Sequence, residues 1–235
     1  MCGLNHHSTS TRGISGREVL IGIAILVFLA AVLTAIFLKQ RASATRLASS
    51  RNLQQWGIAL NLHLIDNENQ LPEVGRDPVT PEQTAAWFNA LPPYISQLPL
   101  ASLPPGERPR PGVPSLWIDP ASQPVRIWDP DVFYFNYGMN KFLQPAKGVR
   151  SFRINEINHP GHVVFLAEVA SYTPGIGPED VVFNVTGHRS DKPGAHTHVL
   201  FCDGHVELET RALLVLDPAA RNADAAATGV SWFEK

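Results

Sequence analysis

The sequence predicts an α+β fold in which a long N-terminal α-helix packs on a small antiparallel β-sheet head. Three observations carry that prediction. Val19 to Leu38 form an uninterrupted apolar run. Leu53, Trp56, Leu60 and Leu64 follow at i, i+3, i+7 and i+11, one stripe of a helix. Near the C-terminus, alternating residues flank Asp203-Gly204, a strong signal for a two-residue hairpin.

Bulk properties narrow the function classes. The 235 residues suit one domain, or one domain with a small appendage. Nineteen Lys and Arg against 21 Asp and Glu give a net charge of -2. No basic excess is present to neutralise phosphates, so nucleic acid is not an expected partner. The 20 Pro and 17 Gly predict long connections. Of the two cysteines, Cys2 precedes the apolar run and Cys202 follows it, so no disulfide is expected.

The apolar run has 20 residues without a charge, and Thr34 is its only hydroxyl. As a helix it spans about 30 Å, the thickness of a bilayer core. A cleaved secretory signal would be shorter and would end at a small-x-small site. Here Phe37, Leu38, Lys39 and Gln40 follow and the helical pattern continues, so a retained transmembrane helix is expected. Arg12 and Arg17 precede it, whereas Lys39, Arg41, Arg46 and Arg51 come after. Charge bias alone would place the C-terminal side in the cytoplasm.

Beyond the membrane the helix turns amphipathic, with Arg51, Gln54, Gln55, Asn61 and Asp66 mostly off the apolar stripe. It is expected to stop in DNENQ, before Pro72. A continuous helix from Glu18 to Asp66 would measure about 70 Å. Trp56 reads as a packing residue. Residues 71–130 form a Pro-rich connection with a short helix expected from Pro81 to about Leu91. Trp87, Trp117 and Trp128 are expected to pin that connection to the head.

Residues 131–235 form the head and a C-terminal tail. Asp131 to Leu143 is aromatic and β-prone, and Val163 to Ala167 reads as a buried strand that Glu168 ends at the sheet rim. A two-residue turn at Asp203-Gly204 pairs Cys202 with His205, Leu200 with Glu207 and His198 with Glu209. Thr197, Val199, Phe201, Val206 and Leu208 then face the helix. The opposite face collects His196, His198, Cys202, His205, Glu207 and Glu209. Five of these, His196, His198, Cys202, His205 and Glu209, are candidate ligands for a transition-metal ion. The alternative is the solvated polar face of a half-buried sheet. No cofactor is otherwise implied. No Ser-His-Asp order, phosphate loop or carboxylate pair points to an enzyme, and an anchored metal-dependent hydrolase would rest on that metal cluster alone.

At the N-terminus, Gly13 is followed by Ile14, Ser15, Gly16, Arg17 and Glu18, after a leader that contains Arg12. This arrangement resembles the type IV prepilin signal. The resemblance implies that a prepilin peptidase cuts after Gly13 on the cytoplasmic side and methylates the new amine on Ile14. Glu18 becomes the fifth residue of the mature chain and pairs with the amine of an adjacent subunit. Each charge would be expensive near lipid, and the ion pair offsets both while setting the axial register. The pattern departs from the family at Ile14, where Phe is usual, and at Ser15-Gly16-Arg17, where apolar or hydroxylic residues are usual.

Three further stretches are similar to a subgroup of pseudopilins and pilin-like proteins: NLQQWGIALNLHLIDNENQLP from Asn52 to Pro72, YGMN, and VLFCDGHVE with its Asp203-Gly204-His205 signature. In that subgroup a histidine precedes the signature more closely than His188 precedes Asp203, so His188 receives no role. The resemblance implies a pilin-like fold divided into a leader at 1–13, a transmembrane helix at 14–38 and a periplasmic helix at 39–70. It implies a structural subunit of a type II secretion pseudopilus or type IV pilus-like filament. The subunit would sit in the inner membrane as a single-pass protein with its head in the periplasm. Its partners would be the prepilin peptidase, other pilin-like subunits, the inner-membrane assembly machinery and the lipid bilayer. The rival is a membrane-tethered periplasmic binding module that does not polymerise.

Overall fold

The computed structural model describes residues 16–120, 129–144, 149–170, 172–185, 188–189, 195–216 and 231–232. The chain divides into two units, Met1–Arg41 and Ala42–Lys235, and helix α1, Gly16–Asp66, contributes to both. In the first unit α1 is apolar on every side, and Leu20, Ile21, Phe28, Leu33 and Phe37 are all exposed. The helix is long and apolar enough to cross a membrane. Gly13 and Ile14 lie outside the described residues, as does the side chain of Glu18.

In the second unit α1 buries the stripe read from its period. Leu53, Trp56, Leu60 and Leu64 are inside, joined by Ala59. Arg51, Gln54, Gln55, Asn61 and Asp66 remain in solvent. The helix stops where DNENQ predicts. The Asn67 and Asn69 amides donate to the His63 and Leu64 carbonyls at 2.9 and 2.8 Å. Glu68 and Asn69 then take left-handed φ angles of 52° and 63°, which breaks the helical path.

The helix expected over Pro81 to Leu91 shrinks to α2, Trp87–Ala90, followed by a 3-10 turn at Pro92–Ile95. Pro92 and Pro93 supply no amide donors, so an α-helix cannot run through them. The connection is pinned as expected at two points. Trp87 Nε1 donates to the Pro174 carbonyl at 3.1 Å, the Trp117 carbonyl accepts from the Asn136 amide at 2.8 Å, and both rings also meet Trp56 of α1 at 5.6 and 4.8 Å between centroids. Trp128 lies outside the described residues.

Seven strands are described: β1 Tyr137–Asn140, β2 Val164–Glu168, β3 Gly175–Ile176, β4 Asn184–Val185, β5 His188–Arg189, β6 His196–Phe201 and β7 Val206–Thr210. The sheet runs β3-β1-β2-β6-β7, and the short β4–β5 pair joins β6 at Asn184 and His196. β3 lies parallel to β1, so the sheet is mixed and not wholly antiparallel. The YGMN segment, inside the stretch read as β-prone, is the strand β1.

The hairpin exists where the sequence placed it, but its register differs. The Gly204 amide donates to the Phe201 carbonyl and the Phe201 amide to the His205 carbonyl, both at 3.0 Å. Gly204 has φ +90°. Cys202, Asp203 and Gly204 therefore form a three-residue loop that ends in a left-handed glycine. Leu200 pairs with Val206, His198 with Leu208 and Thr197 with Glu209. The extra residue turns β7 over relative to β6.

The faces change accordingly. Leu200 and Cys202 join the core that contains Leu53, Trp56 and Leu60. Val199 and Phe201 point the other way, into a second core with Val164, Ala167, Leu214 and Trp232. Leu208 is exposed and Glu209 is buried, the reverse of the expectation. Cys202 is fully buried.

Candidate functional site

The hairpin tip sits directly on α1. A Cβ on Gly57 would lie 2.5 Å from the Gly204 carbonyl oxygen and 3.1 Å from Leu200 Cδ1. A Cβ on Gly204 would strike the Asn61 amide. Gly57 and Asn61, one turn apart, thus form a seat that only a bare backbone fits. The two most specific stretches of the resemblance, Asn52 to Pro72 and the Asp203-Gly204-His205 turn, are in contact here.

Each signature residue has a structural task at this tip. Asp203 Oδ1 accepts from the His205 amide at 3.1 Å and lies 2.5 Å from His205 Nδ1. This closes the loop as an Asx turn. The His205 ring stacks on Phe201 at 4.5 Å with 5° between planes. The turn at His159-Pro160-Gly161 packs beneath, with the place of a Gly161 Cβ 2.8 Å from Asp203 Oδ2.

The five candidate metal ligands do not come together. Cys202 is sealed in the first core, and His205 is held by Asp203. Glu209 stands opposite Thr197 on the other face, while His196 pairs with Thr210 and Asn184 in the ladder. His198 turns to Glu168. Among the described residues no group of three His, Cys, Asp or Glu side chains is placed to hold a metal ion. The three-residue loop is the reason, because it moves Glu209 off the face that carries His196 and His198.

A different polar centre links α1 to the sheet. Glu168 is not at the sheet rim but is 3 % exposed on the helix-facing side. Its carboxylate accepts from the Ser49 hydroxyl of α1, from Thr197 Oγ1 at 3.0 Å, and lies 3.3 Å from His198 Nδ1. Ser49 is bonded to the acid and not to the imidazole, so this is not a nucleophile–base relay. It is a buried polar tie between helix and sheet. A carboxylate directly after the apolar run Val163 to Ala167, with the parity of buried Leu166, was the available signal. Nearby, Asn52 Nδ2 donates to the Ser115 carbonyl at 2.9 Å and to the Tyr137 hydroxyl at 3.3 Å. Burial, then the negative charges of Asp119 and Glu168, hold the Tyr137 phenol well above its ordinary pKa. The carboxyl of Glu209 is also raised, by burial first and then by neighbouring Glu207.

Compared with known proteins, the chain matches no family model, no curated protein and no solved structure.

Proposed function

We propose that the chain is a structural subunit of a type II secretion pseudopilus or type IV pilus-like filament, processed after Gly13. One observation carries the reading. A single helix, α1, is apolar and exposed from Leu20 to Leu38 and then contributes a buried stripe to a helix-on-sheet unit. In the sequence, Gly13 and Glu18 have the prepilin spacing, with Glu18 near the start of that helix. The arrangement suits a protein whose N-terminal helix stands first in lipid and then among the helices of neighbouring subunits.

Further support lies in the second unit. Ile58, Leu62 and Ile65, at i, i+4 and i+7, are exposed on α1. They form an apolar strip on the side of the helix away from the core, where a neighbouring helix would cover it. The mechanism is packing. Apolar helices pool, Glu18 meets the methylated amine of Ile14 on an adjacent subunit, and the heads decorate the outside. The inner-membrane assembly machinery drives polymerisation.

Processing tests the reading. Co-expression with a prepilin peptidase should shorten the chain by the 13 residues of the leader, read by mass spectrometry of its N-terminus. Gly13→Ala should block the cut. Glu18→Ala should leave membrane insertion intact and abolish cross-linking between subunits. A chain intact from Met1 and indifferent to Glu18→Ala would instead be a tethered binding module that does not polymerise.

A further inference from the structure

A polar cleft opens where α1 ends. Its volume is about 310 Å³, at the small end of the range for ligand sites. Two rings make one corner: His63 and Tyr94 stand at 89°, with centroids 5.7 Å apart. Asn67 holds this corner in place. Its amide nitrogen donates to the His63 carbonyl at 2.8 Å and to the Tyr94 oxygen at 3.1 Å, and lies 3.2 Å from His63 Nδ1. The amide is thereby oriented, and its carbonyl oxygen is left to accept. The Tyr94 oxygen accepts from Asn67 and keeps its own proton to donate. The small apolar residues Ala85, exposed at the rim, and Ala90 line the cleft together with Thr84.

The charges in this wall restrict the ligand. Arg150 is already clamped by Glu156, with Nη2–Oε1 at 2.8 Å and Nη1–Oε2 at 3.3 Å. The pair is exposed, but both nitrogens are committed, and an anionic ligand would have to displace a carboxylate. Glu73 lines the same cleft with negative charge. Burial, outweighing the charge of Asp66, pushes the His63 imidazole below its ordinary pKa. The wall offers oriented donors and acceptors, an aromatic corner and no surplus positive charge. A carboxylate, a phosphate or a peptide terminus would be poorly held. A sugar ring presents what this wall complements, hydroxyls that both donate and accept and a C–H face for aromatic or alanine surface.

We propose that the cleft bounded by Tyr94, Asn67 and Thr84 binds a neutral saccharide. The site uses residues of the second unit alone and stands apart from the filament reading. A chain that is never processed at Gly13 could still bind sugar, and a processed subunit could fail to.

The test uses the full chain in a zwitterionic detergent, because glucoside and maltoside detergents would occupy the cleft. Saturation-transfer difference NMR is recorded with maltose, cellobiose and N,N′-diacetylchitobiose, and with glycylglycine as the charged comparison. Saturation should reach the ring protons of at least one disaccharide and not glycylglycine. Ala85→Trp, at an exposed position on the rim, should abolish the signal without moving the melting temperature. Tyr94→Phe keeps the ring and removes one donor, and should weaken the disaccharide about tenfold. No transfer to any of the three sugars, transfer that survives Ala85→Trp and Tyr94→Phe alike, or transfer to glycylglycine alone would overturn the proposal.

Discussion

Gly57 of α1 lies directly under the carbonyl oxygen of Gly204, so close that a Cβ on Gly57 would stand 2.5 Å from it. A glycine inside a helix is ordinarily a weakness of about 1 kcal/mol relative to alanine. Here it is the condition for seating the hairpin tip on the helix. The same contact places Leu200 and Cys202 against Trp56 and Leu60 in the first core.

Gly57→Ala should therefore destabilise the second unit despite the better helix former. The obstacle is backbone, which cannot rotate aside as a flexible side chain could. Overpacking of 1–3 kcal/mol, less the helical gain, leaves a net loss of about 1–2 kcal/mol. Gly22→Ala meets nothing within 4 Å and serves as the comparison. Thermal unfolding followed by near-UV circular dichroism should show a lower Tm for Gly57→Ala alone. Equal melting of the two variants would mean that the seat is not tight.

Glu209 gives a pH dependence of definite sign. Burial and the nearby Glu207 raise its carboxyl in the folded protein. The folded state therefore holds this proton more tightly than the unfolded chain. The resulting stability is fully present below the ordinary carboxylate pKa of about 4.3 and is lost as pH rises through the raised value. Glu209→Gln should raise Tm at pH 7 and leave it unchanged near pH 3. A difference of the same size at both pH values would refute the assignment.

Local pattern and long-range partnership were not equally legible. The stripe at Leu53, Trp56, Leu60 and Leu64 was readable because helical period depends on neighbours alone. The hairpin was readable for the same reason, yet Asp-Gly serves both a two-residue turn and the last two positions of a three-residue loop. Choosing the shorter turn put Val199 and Phe201 on the helix side, where Leu200 and Cys202 stand, and gathered five ligands that the fold keeps apart. Gly57 was unreadable because its reason, the Gly204 carbonyl, is remote in sequence. Glu168 was read as a rim residue because its partners Ser49, Thr197 and His198 come from two distant elements.

That tie makes its own prediction. Removing Glu168 leaves the donors of Ser49, Thr197 and His198 buried around a gap. Stranding several buried donors costs about 1–3 kcal/mol for each, whereas losing a single neutral donor costs about 1 kcal/mol. Glu168→Ala should therefore destabilise far more than Ser49→Ala in chemical unfolding. Lys141 and Glu179 form an ion pair with both side chains exposed, and Lys141→Ala should change stability by less than about 1 kcal/mol. If Glu168→Ala behaves like Lys141→Ala, the carboxylate is not the link between α1 and the sheet.

Trp232 tests the second core separately from the first. It is fully buried among Val199, Phe201 and Leu214 on the face turned from α1. Its indole Nε1 donates to the Leu214 carbonyl at 3.1 Å, and its own carbonyl accepts from Asn140 Nδ2 at 3.0 Å. The adjacent Ser231 carbonyl accepts from the Val164 amide at 2.9 Å, so this short segment closes one end of β2. Trp232→Ala should cost about 3–5 kcal/mol by the cavity it leaves, whereas Trp232→Phe, which keeps most of the volume, should cost less. At temperatures where the variant remains folded, the near-UV signal of the Trp56, Trp87 and Trp117 cluster should persist, because those rings pack on the opposite face. Loss of that signal in step with the second core would mean that the two faces of the sheet unfold as one body.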